Sequence, residues 1–154
     1  MPATFYFEKN DIFEPFAEDG DGPFESNTRL LVFAASVGFA RNRRVESPGE
    51  EGEIRWNYIS QNKRLSSIVA ALAYADHDDP EAILDPEMQI ETLRQYGAGG
   101  ARFLEEEILN STGSNLDNLI TFIKATQDQD QITEQVGILE EIESEISGLP
   151  AAQD

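Results

Sequence analysis

The chain has 154 residues, of which 30 are acidic and 11 are basic, so its formal net charge is −19. It contains no cysteine, which excludes disulfide bonds, a thiolate zinc site and a cysteine nucleophile. The longest apolar stretch, Leu30–Ala40, is too short to span a bilayer, and no basic segment followed by an apolar one indicates an export signal. We therefore expect a cytoplasmic protein without membrane contact.

The N-terminal part of the chain mixes aromatic and acidic residues. Phe5 and Phe7 alternate with more polar residues, which indicates a short strand. Asp11 is predicted to cap a brief helix over Ile12–Glu18. A second short extended segment is predicted in mid-chain, at Ile54–Trp56.

Apolar residues at three- and four-residue steps, behind good capping residues, predict that most of the remaining chain is helical. The predicted helices and helical turns are Thr28–Ala40 after Ser26 or Asn27, Asn57–Gln61, Lys63–Ala75 after Asn62, Pro80–Leu84, Pro86–Tyr96 after Asp85, Ala101–Leu109, Asn115–Thr126 and Asp130–Ser147. The glycine-rich segment Gly97–Gly100 is expected to interrupt the helical pattern, either as a hinge or as a site of close helix packing.

These elements predict an all-α protein that can include one short strand, placed N-terminally or in mid-chain. We expect a helical core domain over residues 1–110 and a C-terminal helical extension over residues 111–154 that packs on it. The apolar stripe of the last predicted helix can alternatively serve self-association or the docking of a partner.

Basic residues are concentrated in one window of this acidic chain. Arg29–Arg64 carries seven basic and four acidic residues, a net charge of +3, and the other 118 residues carry a net −22. Such a window is a candidate contact surface for a polyanion. An excess of carboxylates with only three lysines is also typical of proteins from a high-salt cytoplasm, where short screening lengths reduce self-repulsion.

The candidate residues for contact with DNA or with a protein partner are Arg41, Arg43, Arg44, Arg55, Trp56, Lys63 and Arg64. Arginine suits phosphate oxygens because its planar guanidinium donates two parallel hydrogen bonds. Two alternatives stay open. The arginines after the helix can cap it and pair with nearby glutamates, and Trp56 can be a residue at the edge of the core.

The only histidine lies within the acidic run Asp76-His77-Asp78-Asp79. Such a cluster can bind a metal ion or form an acid–base pair, but with no second histidine we interpret it as a solvated loop. The sequence therefore predicts no catalytic residues, no metal site and no cofactor.

Several segments occur in an order that resembles a known family. They are LLVFAASVGFARNRR, EIRWNYI, SSIVAALAYAD with PEAIL, and QYGAGGARFLEEEI, and they cover roughly Ser26–Leu109. The family consists of small proteins encoded with DNA phosphorothioation (Dnd-type) systems, in which similar segments look like LLxFAAxxGFxxxRR, IRW, LAxxxDxxIL and YANGG. The resemblance implies a role in a prokaryotic defence island, where sulfur replaces a DNA phosphate oxygen and partner proteins restrict unmodified DNA.

Three hypotheses follow. The leading one is a non-enzymatic accessory or adaptor protein of a phosphorothioation-linked restriction system, which works with other proteins of that system. Direct contact with DNA through the arginines and homo-oligomerisation both stay open. The alternative is an acidic nucleic-acid mimic or regulator that binds a partner enzyme, and the third is a nuclease that uses the carboxylates around His77.

Overall fold

The computed structural model describes residues 3–20, 22–110 and 112–127. In chain order its elements are β1 (Thr4–Phe7), a π-helical turn (Glu14–Glu18), α1 (Asn27–Ala40), β2 (Gly52–Arg55), α2 (Asn57–Ser60), α3 (Lys63–His77), a 3₁₀ turn (Pro80–Ile83), α4 (Pro86–Leu104), a second π-helical turn (Glu105–Leu109) and α5 (residues 115–127). Helices dominate, which confirms the predicted all-α class. The predicted helix Asp130–Ser147 lies outside the described residues.

The chain divides into two compact units, Met1–Thr112 and Gly113–Asp154. Of the second unit the structure describes α5, which lies where a helix was predicted. The Ser114 hydroxyl accepts a hydrogen bond from the Asp117 N–H at 3.1 Å and so caps the start of α5. All sites described below belong to the first unit.

The two short strands pair with each other. β1 and β2 are antiparallel, with Thr4 opposite Arg55 and Phe7 opposite Gly52. The alternation predicted from the sequence turns Phe5 and Phe7 into the core, where they are 5% and 1% exposed. The Phe7 ring occupies the space that a side chain at Gly52 would need, which explains a glycine in this strand.

The start of each long helix follows the predicted capping chemistry. The Ser26 hydroxyl accepts from the Arg29 N–H at 3.2 Å before α1, and Asn62 Oδ1 accepts from the Leu65 N–H at 3.0 Å before α3. Asp85 caps α4 in the same way. Each cap satisfies a backbone donor that has no acceptor within its helix.

The centre of the fold is a close crossing of α1 and α4. A side chain at Gly100 would overlap the backbone carbonyl of Ala34, and one at Gly38 would overlap the carbonyl of Tyr96. The predicted interruption at Gly97–Gly100 is wrong because α4 runs through it without a break. Close helix packing, the alternative to a hinge, is what the glycines provide.

The predicted helix over Ile12–Glu18 is replaced by a shorter and wider turn. Asp11 does not cap it: the turn starts after Phe13 and has no side-chain cap. The Asp19 N–H donates to the Glu14 carbonyl at 2.8 Å, five residues back, which defines the π-helical geometry. This wider turn accompanies the full burial of the Phe13 side chain.

Candidate nucleic-acid or partner interface

The seven basic residues of the Arg29–Arg64 window do not form one surface. Arg29 lies in the first turn of α1, whereas Arg41, Arg43 and Arg44 follow its last turn. At 1.5 Å rise per residue these two positions are about 18 Å apart along the helix. Lys63 and Arg64 begin α3, whose first turn lines the same cleft as the start of α1. The structure therefore presents basic groups at both ends of α1.

The C-terminal end of α1 presents two arginines on one aromatic ring. The guanidinium carbons of Arg41 and Arg43 lie 5.4 and 5.1 Å from the centroid of the Phe103 ring in α4. Both arginines are exposed, and Arg43 forms no ion pair with any described residue. We call Arg41 and Arg43, which share the Phe103 ring, the arginine pair. A guanidinium this close to the face of an aromatic ring is attracted to it electrostatically, which limits the positions that it adopts.

Backbone geometry sets the position of the arginine pair. Asn42 adopts φ 55°, a left-handed conformation that turns the chain after α1. The Arg43 N–H then donates to the Gly38 carbonyl at 2.7 Å. The Arg43 carbonyl occupies the place of a missing side chain at Gly99. The loop can therefore lie directly on α4, four residues before Phe103.

Arg44, next in sequence, has different neighbours from the arginine pair. Its Nε donates to Gln95 Oε1 at 2.7 Å, and its terminal nitrogen lies 3.5 Å from Asp76 Oδ1. The Asp76 side chain is 5% exposed and also accepts hydrogen bonds from Thr92 at 2.8 Å and Tyr96 at 3.3 Å. Arg44 therefore neutralises a buried carboxylate and ties the loop after α1 to α3 and α4.

The interpretation of Asp76-His77-Asp78-Asp79 as a solvated loop is wrong for its first half. Asp76 and His77 belong to the last turn of α3, and Asp78 caps it with a left-handed φ of 51°. A carboxylate on the inner face of the helix is buried because Thr92 and Tyr96 satisfy its oxygens. Within residues 3–20, 22–110 and 112–127, no group of acidic or histidine side chains is arranged to hold a metal ion.

Trp56 lies at the edge of the core. It is 5% exposed, its ring meets Phe5 edge-on at a centroid distance of 6.3 Å, and its buried indole Nε1 has no acceptor among the described residues. This position fits the core-edge alternative better than a protruding anchor. Arg55, Lys63 and Arg64 are exposed on the nearby strand end and helix start.

A second buried carboxylate fixes α4 next to the arginine pair. Glu8 accepts two hydrogen bonds of 2.7 Å from the Arg102 guanidinium and one of 3.1 Å from the Gly49 N–H. The hydrogen bonds from Arg102 hold the pKa of Glu8 below its ordinary value, although burial opposes the shift. This contact joins the end of β1 to the helix that carries Phe103.

Sequence reasoning missed Phe103 and the Glu8–Arg102 contact. The signal for Phe103 was its four-residue spacing from Gly99, which puts both on one face of α4 only if the helix is continuous. Glu8 and Arg102 are 94 residues apart, and no local pattern joins them.

The geometry is that of a small helical protein with exposed arginines beside a close helix crossing. The amino-acid sequence of the chain matches the family model of DNA sulphur modification system-associated protein 4 over residues 7–141. The chain belongs to this family, which confirms the resemblance and extends it beyond Ser26–Leu109 at both ends. No curated protein and no solved structure gave a significant match.

Among the described helices, none combines the length and the apolar character needed to cross a membrane.

Proposed function

We propose that this protein is a non-enzymatic accessory subunit of the DNA sulphur modification system and contacts DNA phosphates through the arginine pair. The observation that carries the proposal is the stacking of two exposed arginines, Arg41 and Arg43, on the single ring of Phe103. A guanidinium held flat against a ring loses less conformational freedom on binding a phosphate than a free one does.

The non-enzymatic assignment is supported by the use of Asp76. This carboxylate is the most buried of the group around His77, and Thr92, Tyr96 and Arg44 surround its oxygens. It is therefore engaged in holding α3, α4 and the loop after α1 together.

The net charge argues that DNA contact needs help from a partner. Two phosphate contacts change log K by about 1.8 per decade of salt, which is too little for tight binding by themselves. The remaining surface is strongly acidic and repels DNA at low salt. We therefore propose an adaptor role, in which other proteins of the system bring the arginine pair to the duplex.

The test is DNA binding by fluorescence anisotropy, at low and molar KCl, with matched duplexes that carry or lack one phosphorothioate. The duplexes have 5′-hydroxyl ends. Wild-type protein is compared with Arg41→Gln/Arg43→Gln and with the matched control Lys63→Gln/Arg64→Gln, which removes the same charge at the other end of α1. Partner proteins encoded with the system are included in parallel titrations.

We expect the arginine-pair variant to lose most of its DNA binding, and the slope of log K against log salt concentration to become shallower by about 1.8. The control should bind DNA about as well as wild type. Equal binding by wild type and the arginine-pair variant would overturn the DNA contact. If the variant instead lost only a protein partner, the arginine pair would be a protein interface. If neutralising acidic surface residues abolished partner binding, the acidic mimic would be favoured.

A further inference from the structure

The first turns of α1 and α3 meet in one cleft of about 510 Å³, which we call the helix-start cleft. It is lined by Ser26, Asn27, Thr28 and Arg29 from α1, by Asn62 and Leu65 from the start of α3, and by Glu53, Ile54 and Tyr58. Both helices are long, with 14 and 15 residues, so each contributes partial positive charge at its N-terminus.

The cleft has backbone donors that neither helix uses. The first N–H groups of a helix have no acceptor within it, and the caps Ser26 and Asn62 satisfy only those of Arg29 and Leu65. The N–H of Thr28 therefore keeps its capacity to bind an anion from outside.

The hydroxyl of a mostly buried residue lies at the same place. Thr28 is 5% exposed and lines the helix-start cleft, and its hydroxyl makes no hydrogen bond to any described residue. A ligand oxygen in the cleft can accept a hydrogen bond from this hydroxyl. Tyr58, which is 55% exposed, lines the same cleft with a second hydroxyl that has no partner among the described residues.

The charges at these helix starts run against the usual preference. Neither first turn contains an acidic residue, although the chain has 30 of them. Instead Arg29 stands in the first turn of α1, and Lys63 and Arg64 stand in that of α3, where a cation is disfavoured by the helix dipole. Arg29 also lines an adjoining groove together with Arg64. A bound anion would compensate for this placement.

Two glutamates limit which anion fits. Glu25 lies 3.5 Å from the Arg29 guanidinium but is 84% exposed, so an incoming anion can displace it. Glu53 lines the cleft and repels a bare anion, but it accepts hydrogen bonds from a ligand that also carries hydroxyl groups.

From these observations we propose that the helix-start cleft binds a phosphate monoester, with Thr28 and Arg29 as its principal contacts. The volume suits a mononucleotide. The phosphate can come from a free nucleotide or from the 5′ end of a DNA strand. This site is separate from the arginine pair and does not depend on the proposed DNA contact.

The experiment uses ¹H–¹⁵N NMR and calorimetric titration of the full chain, at low and molar KCl. The probes are inorganic phosphate, a nucleoside 5′-monophosphate, and one short oligonucleotide prepared with a 5′-phosphate or a 5′-hydroxyl. The variants are Thr28→Val, which keeps the shape of the side chain, Arg29→Gln and Glu53→Gln. Lys124→Gln, at an exposed position of α5, is the charge-matched control for Arg29→Gln.

We expect shifts of the Thr28 and Arg64 amide resonances with every phosphate-bearing probe and none with the 5′-hydroxyl oligonucleotide. Thr28→Val and Arg29→Gln each weaken binding about tenfold or more, because each removes a hydrogen bond to a charged group. Glu53→Gln tightens the binding of inorganic phosphate. Lys124→Gln leaves the affinity unchanged.

Several results would overturn the site. They are the absence of binding by all probes to a folded wild-type protein, equal affinities of Thr28→Val and wild type, and an equal loss in Lys124→Gln. The last result would indicate a general charge effect. If the 5′-phosphorylated oligonucleotide binds more tightly than the mononucleotide, the phosphate belongs to a DNA end. If the mononucleotide binds more tightly, the ligand is a free nucleotide.

Discussion

Replacing Gly100 with alanine tests the close crossing of α1 and α4. On helix propensity alone this change stabilises a helix by about 1 kcal/mol. The structure predicts the opposite sign, because the new methyl group would overlap the backbone carbonyl of Ala34. A backbone atom cannot rotate away as a side chain can, so the two helices have to separate.

Overpacking a core costs about 1–3 kcal/mol even where side chains give way. A clash with backbone should reach the upper end of this range, about 3 kcal/mol, so after the gain in propensity we expect a net loss of about 2 kcal/mol for Gly100→Ala. Gly97→Ala is the matched control in the same helix, because its methyl group meets the end of the Leu31 side chain, which can move. We expect this variant to stay within about 1 kcal/mol of wild type.

The assay is urea unfolding followed by the fluorescence of Trp56, the only tryptophan, and by circular dichroism. In thermal unfolding, the same loss of stability lowers the melting temperature by about 4–8 °C. A Gly100→Ala protein as stable as wild type, with an unchanged dependence on urea, would contradict the close crossing and favour the hinge.

Other contacts make separate predictions. Glu8→Gln should cost about 1–2 kcal/mol at neutral pH, since it removes charge-assisted hydrogen bonds from Arg102. Because the pKa of Glu8 is lowered in the folded state, Glu8 stabilises the fold above its ordinary pKa of 4.5, and this stabilisation is lost as the pH falls through the lowered pKa. The free energy of unfolding should therefore depend less on pH in the variant than in wild type. Asp76→Ala leaves the buried Thr92 hydroxyl without its acceptor and should cost about 2 kcal/mol in urea unfolding, while an unchanged midpoint would refute its structural role. Asn62→Ala removes the cap of α3 and should lower the free energy of unfolding by about 1 kcal/mol, whereas Asn62→Asp should retain it.

Local chemistry was sufficient to predict most of the helices. Ser26, Asn62 and Asp85 cap the helices they were expected to begin, because a cap depends on residues only three positions apart. The alternation at Phe5 and Phe7 likewise indicated a strand. The strand pairing itself joins residues about fifty positions apart, so no local signal gave its register.

The errors arose where distant residues decide the outcome. Glycines at Gly97–Gly100 weaken an isolated helix, but packing against α1 keeps this one continuous. The sequence around Asp76 indicates an acidic loop, because it does not show that α4 places Thr92 and Tyr96 within hydrogen-bond distance of this carboxylate. The single basic window became two surfaces because α1 separates its ends.

The proposed DNA contact of the arginine pair can depend on its positive charge alone or also on the position of the guanidinium groups over Phe103. At molar salt the screening length is about 3 Å, so long-range attraction and repulsion both vanish and only direct contacts remain. Arg43→Lys keeps the positive charge of the pair but loses the planar guanidinium that lies over the Phe103 ring. If the stacked geometry matters, this variant should bind DNA more weakly than wild type at molar KCl and differ less from it at low salt. Equal binding at both salt concentrations would mean that the pair supplies charge alone, and the stacking on Phe103 would then have no part in recognition.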